Sequence, residues 1–157
     1  MTDFAPIQSA LDAGGLVLLP TETVYGLAAR ADMPSAIDKI YTAKGRDFDK
    51  PLAVCIRDLY QADFFGEFDD VSRALAERYW PGPVTIVMDA DPGTGLDPRV
   101  RAGRKDAPTI ALRCPDVPWR TELTMPLALT SANLSGQADC TDYTAAMDML
   151  GRFIDAS

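Results

Sequence analysis

The sequence predicts an α/β fold, an open, twisted sheet of mixed parallel and antiparallel strands with flanking helices. Three observations carry that prediction. Short all-apolar runs, Leu16–Leu19 and Leu52–Ile56, read as strands buried on both faces. Between them, apolar residues fall at helical spacing, as at Ile37, Ile40 and Tyr41. The two patterns then interleave along the whole chain, with no internal repeat, low-complexity block or linker. A length of 157 residues suits one domain, expected over 1–157.

Taken in order, Ala5–Ala13 reads as a first helix, with Pro6 near its start and Gly14-Gly15 as its stop. Leu16–Leu19 is the first strand. Pro34–Lys44 is a helix and Leu52–Ile56 a second buried strand. Val71–Tyr79 is a helix capped by Asp69 or Asp70 and stopped by Trp80-Pro81-Gly82-Pro83. Val84–Met88 follows as a strand. Asp89–Pro108, rich in Asp, Gly, Pro and Arg, reads as a long surface excursion. Thr109–Leu112 and Leu127–Leu129 are further strands, and Thr141 is expected to cap a last helix reaching about Phe153.

Composition then narrows the chemistry. The chain has 15 Lys+Arg against 23 Asp+Glu, a net charge of −8, and no histidine. A Ser-His-Asp triad, a Cys-His pair, imidazole metal ligation and a histidine pH switch are therefore excluded. Cys55, Cys114 and Cys140 stand far apart without a CxxC, and read as reduced, buried thiols of a cytoplasmic protein. The start, MTDFAPIQSA, lacks the basic segment of a secretory signal, and no apolar run reaches membrane-spanning length. The acidic balance opposes a general nucleic-acid coat but leaves room for a local basic site.

Polar residues gather where strands are expected to end, which is where open α/β sheets place ligands. Pro20-Thr21-Glu22-Thr23-Val24-Tyr25-Gly26-Leu27 leaves the first strand; its hydroxyls either meet a ligand or satisfy their own turn. Lys44, Arg46 and Lys50 put three cations within seven positions, suited either to a phosphate or to a helix C-terminus. In Thr130-Ser131-Ala132-Asn133, the tips of Ser131 and Asn133 share one side if the segment stays extended. Arg113 closes the strand Thr109–Leu112 and can clamp a carboxylate or snorkel to solvent. No Walker A loop is present.

The segments LLPTETVYGLAARA, YTAKGRDFDKPLAV, RYWPGPVTIV, TIALRCPD and LALTSANLSG resemble, in order and spacing, the YrdC-like domain family. The resemblance runs from about Gly14 to Thr141. It implies an open mixed sheet with a concave, positively charged face, and the joining of L-threonine, bicarbonate and ATP into threonylcarbamoyl-adenylate with release of pyrophosphate. Partner proteins then transfer the threonylcarbamoyl group to a tRNA adenosine. The family's Lys-x-Arg and Ser-x-Asn pair falls on Lys44, Arg46, Ser131 and Asn133 as catalytic residues. The same alignment implies threonine contacts at Thr23, Arg113 and Ser131, and ATP contacts at Arg46, Lys50, Thr109, Asn133 and Thr141. Mg²⁺ is expected to be held mainly by the ATP phosphates. Members usually continue with a Ser-Thr-Val-Val-Asp-like strand and an Arg-Pro-Gly segment, so a short member is expected. The competing expectation is a non-catalytic module binding double-stranded RNA or tRNA through Lys44, Arg46, Lys50, Arg99, Arg101, Arg104 and Lys105.

Overall fold

Ile7 and Leu11 lie four positions apart on α1 (Ala5–Asp12) and are buried together, while Gly14, at φ +74°, turns the chain into β1 (Val17–Pro20). The structure, a computed structural model, describes residues 3–157; the first two positions of the expected domain lie outside the described residues. The remaining elements are β2 (Tyr25–Arg30), α2 (Pro34–Lys44), β3 (Ala53–Cys55), α3 (Leu59–Ala62), β4 (Gly66–Glu67), α4 (Asp70–Tyr79) and β5 (Thr85–Ala90). They continue with β6 (Arg101–Arg104), β7 (Ala107–Arg113), α5 (Trp119–Glu122), β8 (Leu127–Ser131) and α6 (Tyr143–Leu150).

One sheet holds all eight strands in the order β1-β2-β8-β3-β7-β5-β4, with β6 also pairing β7. β3 and β7 run parallel, and the other strand pairs are antiparallel. The mixed α/β sheet expected from the sequence is thus the observed one.

Several elements differ from expectation. β2 was hidden because Tyr25-Gly26-Leu27-Ala28-Ala29 lacks β-branched residues and reads as the continuation of a turn. It forms because Leu27 and Ala29 are fully buried between β1 and β8. The stretch 89–108 is not all excursion. Asp89 and Ala90 extend β5, and Arg101–Arg104 makes a hairpin with β7. The last helix is capped by Asp142, whose carboxylate accepts the Ala145 N–H at 2.9 Å, and not by Thr141. The one-residue offset follows from Asp142 having the extended backbone of a cap.

The two faces of the sheet differ, and the difference positions the site. Residues directly opposite on paired strands share a face. Leu18, Leu27, Ala128, Val54, Leu112, Ile110, Ile86 and Met88 share one face, packed under Ile37, Ile40 and Tyr41 of α2, Ala76 of α4 and Leu150 of α6. On the opposite face, α1 and α5 cover only part: Ile7, Leu11, Trp119 and Leu123 pack on Val17, Leu19, Ala28, Cys55 and Leu127. Beyond β3 that face is bare, and Thr85, Val87, Asp89, Thr109 and Ala111 meet solvent.

Residues 154–156 return to the outer edge of β1. The Asp155 N–H donates to the Leu16 carbonyl, its carboxylate accepts the Leu16 N–H, and Ala156 O accepts the Leu18 N–H at 3.0 Å. All three cysteines are buried and free, and burial pushes the Cys55 thiol up to about 12. No helix among the described residues is long and apolar enough to cross a membrane.

Candidate active site

Arg113 ends β7 at the boundary between the covered and bare halves of the sheet, opposite Thr85 on one side and covered Cys55 on the other. Its guanidinium is reached by the loop between β1 and β2. Thr21 folds that loop: its hydroxyl accepts the Thr23 and Val24 N–H groups at 3.2 and 3.1 Å and donates to the Val24 carbonyl at 2.6 Å. Trp119 of α5 ties the loop down by donating its indole N–H to the Pro20 carbonyl at 2.7 Å. Closed on its own polar groups, the loop turns Glu22 and Thr23 toward Arg113. Glu22 forms an ion pair with Arg113 at 3.0 Å, and Thr23 Oγ1 lies 3.4 and 3.5 Å from its two terminal nitrogens. The side chain of Arg113 is only 13% exposed, yet its buried Nε–H has no partner among the described residues. The Nε–H is itself buried, so the exposed part of the guanidinium side chain lies on its other atoms.

Of the expected Lys-x-Arg and Ser-x-Asn residues, Lys44, Ser131 and Asn133 come together, in an arrangement the sequence did not suggest, while Arg46 does not join them. Lys44, the last residue of α2, is 3% exposed. Its ammonium donates to the Ser131 and Asn133 carbonyls, both at 2.5 Å, with Asn133 Oδ1 at 3.5 Å. Its own carbonyl accepts the Ser135 N–H at 2.9 Å. Burial, reinforced by the charge of Arg46, lowers the Lys44 pKa to about 8. Lys44 therefore neither snorkels from a helix end nor presents its charge to solvent.

Asn133 departs from the extended reading too. The strand stops at Ser131, and the Asn133 side chain, 5% exposed, donates to the Leu134 and Gln137 carbonyls at 2.9 and 2.8 Å. The buried ammonium needs acceptors, and the chain bends after Ser131 to supply them. Ser131 alone keeps the position on the sheet face, half-buried opposite Gly26, whose missing side chain makes room for Leu129.

Past α2, Gly45 adopts φ +59° and Arg46 turns back, donating to the Pro51 carbonyl at 3.0 Å and the Lys50 carbonyl at 3.4 Å. Lys50 is exposed and pairs with Asp47 at 3.3 Å. Thr109 sits half-buried on the bare face opposite Asp89, and Thr141 is exposed before α6. Arg113 and Thr23 thus meet directly, and Lys44 meets Ser131 and Asn133. Arg46 and Lys50 form a separate loop at the end of α2. Glu22 has no role legible in the sequence; its pairing with Arg113 across 91 positions carries no local signal.

Residues 9–157 match the family model described as telomere recombination, the Sua5–YciO–YrdC domain. The chain belongs to this family. It is 43% identical over 154 residues to the threonylcarbamoyl-AMP synthase of Bacillus subtilis, covering 94% of this chain and 43% of that one. It is 39% identical over 145 residues to the same-named protein of Pyrococcus abyssi, covering 88% and 41%. Among solved structures, Sua5 of P. abyssi complexed with L-threonine superposes with a TM-score of 0.86 at 32% identity, over 96% of this chain and 44% of that one. YciO of E. coli shares the fold, with a TM-score of 0.82 at 21% identity over 96% of this chain and 73% of that one. The chain spans about half the length of the curated relatives it matches.

Proposed function

We propose that this chain carries the synthase chemistry of a threonylcarbamoyl-AMP synthase. In this reading it is a nucleotidyltransferase that joins L-threonine, bicarbonate and ATP, releases pyrophosphate, and yields threonylcarbamoyl-AMP to cytoplasmic partner proteins that modify tRNA. The observation carrying the reading is Arg113, buried at the edge of a bare sheet face with an unpartnered Nε–H and Thr23 beside it. The relatives named above support it.

The reaction asks the protein mainly for position and charge. Arg113 receives the threonine carboxylate, while Thr23 and Ser131 meet its other polar groups. The free amine attacks the carbon of bicarbonate, water leaves, and a carbamate remains. A carbamate oxygen then attacks the α-phosphorus and pyrophosphate departs. ATP enters with its Mg²⁺ as one substrate and lies along the bare face toward Thr109 and Thr141, with Arg46 and Lys50 neutralising the phosphates, while Asn133, turned inward, shapes the turn beside it. Lys44 contributes by holding the turn after Ser131 in place.

Three of the cations on which the RNA-binding alternative draws already have partners. Arg99 pairs with Asp97 and Asp38, Arg104 with Asp106, and Arg101 donates to Thr94 Oγ1. The decisive assay is pyrophosphate release from ATP with bicarbonate and Mg²⁺, with and without L-threonine. Threonine-dependent release is expected; release independent of threonine, or none, removes the synthase reading. Steeply salt-sensitive binding of double-stranded RNA by an inactive chain would favour the alternative.

A further inference from the structure

The Arg113–Glu22 pair is a pre-built site of zero net charge, and its geometry specifies more than a carboxylate clamp. Glu22 uses one oxygen on Arg113 at 3.0 Å, and the other accepts the Asp116 N–H at 3.2 Å, from the loop that leaves β7. The carboxylate is thus fixed from two directions, and its side chain is 22% exposed. Arg113 keeps Nε–H unspent, and each carboxylate oxygen has further lone pairs beyond the one hydrogen bond it accepts.

A ligand bearing only a carboxylate would set two anions on one guanidinium and leave Glu22 competing for it. A ligand bearing only an ammonium would meet Arg113 as a like charge. A zwitterion carrying both groups on neighbouring atoms turns one ion pair into an alternating array of four charges with no change in net charge. We propose that Glu22 is the α-ammonium subsite, so that Arg113 and Glu22 together select a free α-amino acid over carboxylates and amines. The proposal rests on the threonine reading above and adds to it the residue that recognises the amine.

The test is calorimetric titration of the full chain and of Glu22→Gln with three probes: L-threonine, 3-hydroxybutyrate, which lacks the amine, and L-threoninol, which lacks the carboxylate. Wild type should bind L-threonine at least tenfold more tightly than either analogue. In Glu22→Gln, threonine should weaken by about ten- to a hundredfold, the range for loss of a hydrogen bond to a charged group. At the same time 3-hydroxybutyrate should bind more tightly, because its rival carboxylate has gone. Glu22→Asp, which retains the charge, should recover part of the threonine affinity, and a thermal melt of each variant shows that it is folded.

If Glu22 only props Arg113, threonine and 3-hydroxybutyrate weaken together and the proposal falls. Unchanged threonine affinity in Glu22→Gln also overturns it while leaving the threonine reading intact. Wild type that ignores L-threonine but binds glycine or another α-amino acid, with the same response to Glu22→Gln, keeps the zwitterion site and removes the threonine reading. A wild type that binds no amino acid overturns both.

Discussion

Replacing Lys44 with methionine keeps the aliphatic stem at the end of α2 and deletes the ammonium that the Ser131 and Asn133 carbonyls share. Each buried carbonyl left without a donor costs roughly 1–3 kcal/mol, or about 4 kcal/mol for the two together. The same change removes a buried charge. Lowering of the lysine pKa from 10.5 to about 8 corresponds to about 3 kcal/mol of unfavourable burial of the charged form. The two effects oppose each other, so at pH 7 the variant should lose only about 1 kcal/mol.

The sign of the pH dependence is distinctive. The folded chain releases the Lys44 proton near pH 8, whereas the unfolded chain holds it to about 10.5, so wild-type stability rises across that window. Methionine has nothing to titrate. The gap between wild type and Lys44→Met should therefore widen from about 1 kcal/mol at pH 7 toward about 4 kcal/mol by pH 10.5. Urea unfolding of both proteins, followed by tryptophan fluorescence at several pH values, measures it, and taking the difference cancels the thiols and phenols common to both. A gap that stays flat from pH 7 to 10.5 would refute the claim that burial displaces this lysine. A gap near zero at every pH would show that the two carbonyls do not depend on it.

Arg46→Ala should weaken ATP binding by about ten- to a hundredfold in calorimetric titration, as expected for a lost charge-assisted contact. Because Arg46 also closes its loop onto the Lys50 and Pro51 carbonyls, the melt should show a loss of about 1 kcal/mol as well. Asp142→Ala should cost about 1 kcal/mol in thermal unfolding through the lost cap on α6, while Thr141→Ala should leave stability within about 0.5 kcal/mol. Burial raises the Asp97 carboxyl, but hydrogen bonds from the Arg99 side chain and N–H overcome this and hold it below the usual value. The group is ionised throughout the range above its unfolded value near 4. Its stabilisation should be present there and disappear as pH falls through the lower folded value, and acid denaturation of Asp97→Asn should lack that component.

The fold was legible wherever burial dictates composition. Leu16–Leu19 and Leu52–Ile56 could only be interior strands, and Ile37, Ile40 and Tyr41 could only share one helix face. β2 escaped because glycine and alanine, which suit the tight approach of Gly26 to Leu129, carry no strand signature. Of the site, the residue types and their places at strand ends were readable, and Arg113 and Thr23 meet as a pair. What the sequence could not reveal is which polar groups satisfy one another. Asn133 bends inward because Lys44 is buried beneath it, and Glu22 finds Arg113 because Trp119 ties down Pro20. Both are consequences of packing between positions far apart in the chain.

The return of residues 154–156 to β1 alters the character of the whole sheet margin. β1 is an edge strand, and an edge strand of consecutive Val-Leu-Leu would offer its open N–H and C=O groups to any other extended chain. Asp155 and Ala156 occupy that row in the native molecule, and the Asp155 carboxylate stands where a second chain would have to lie. Three residues of irregular chain thus act as a guard against sheet-to-sheet adhesion. Loosening them would expose a sticky seam as it withdrew Ile154 and Ala156 from the two core clusters they pack against.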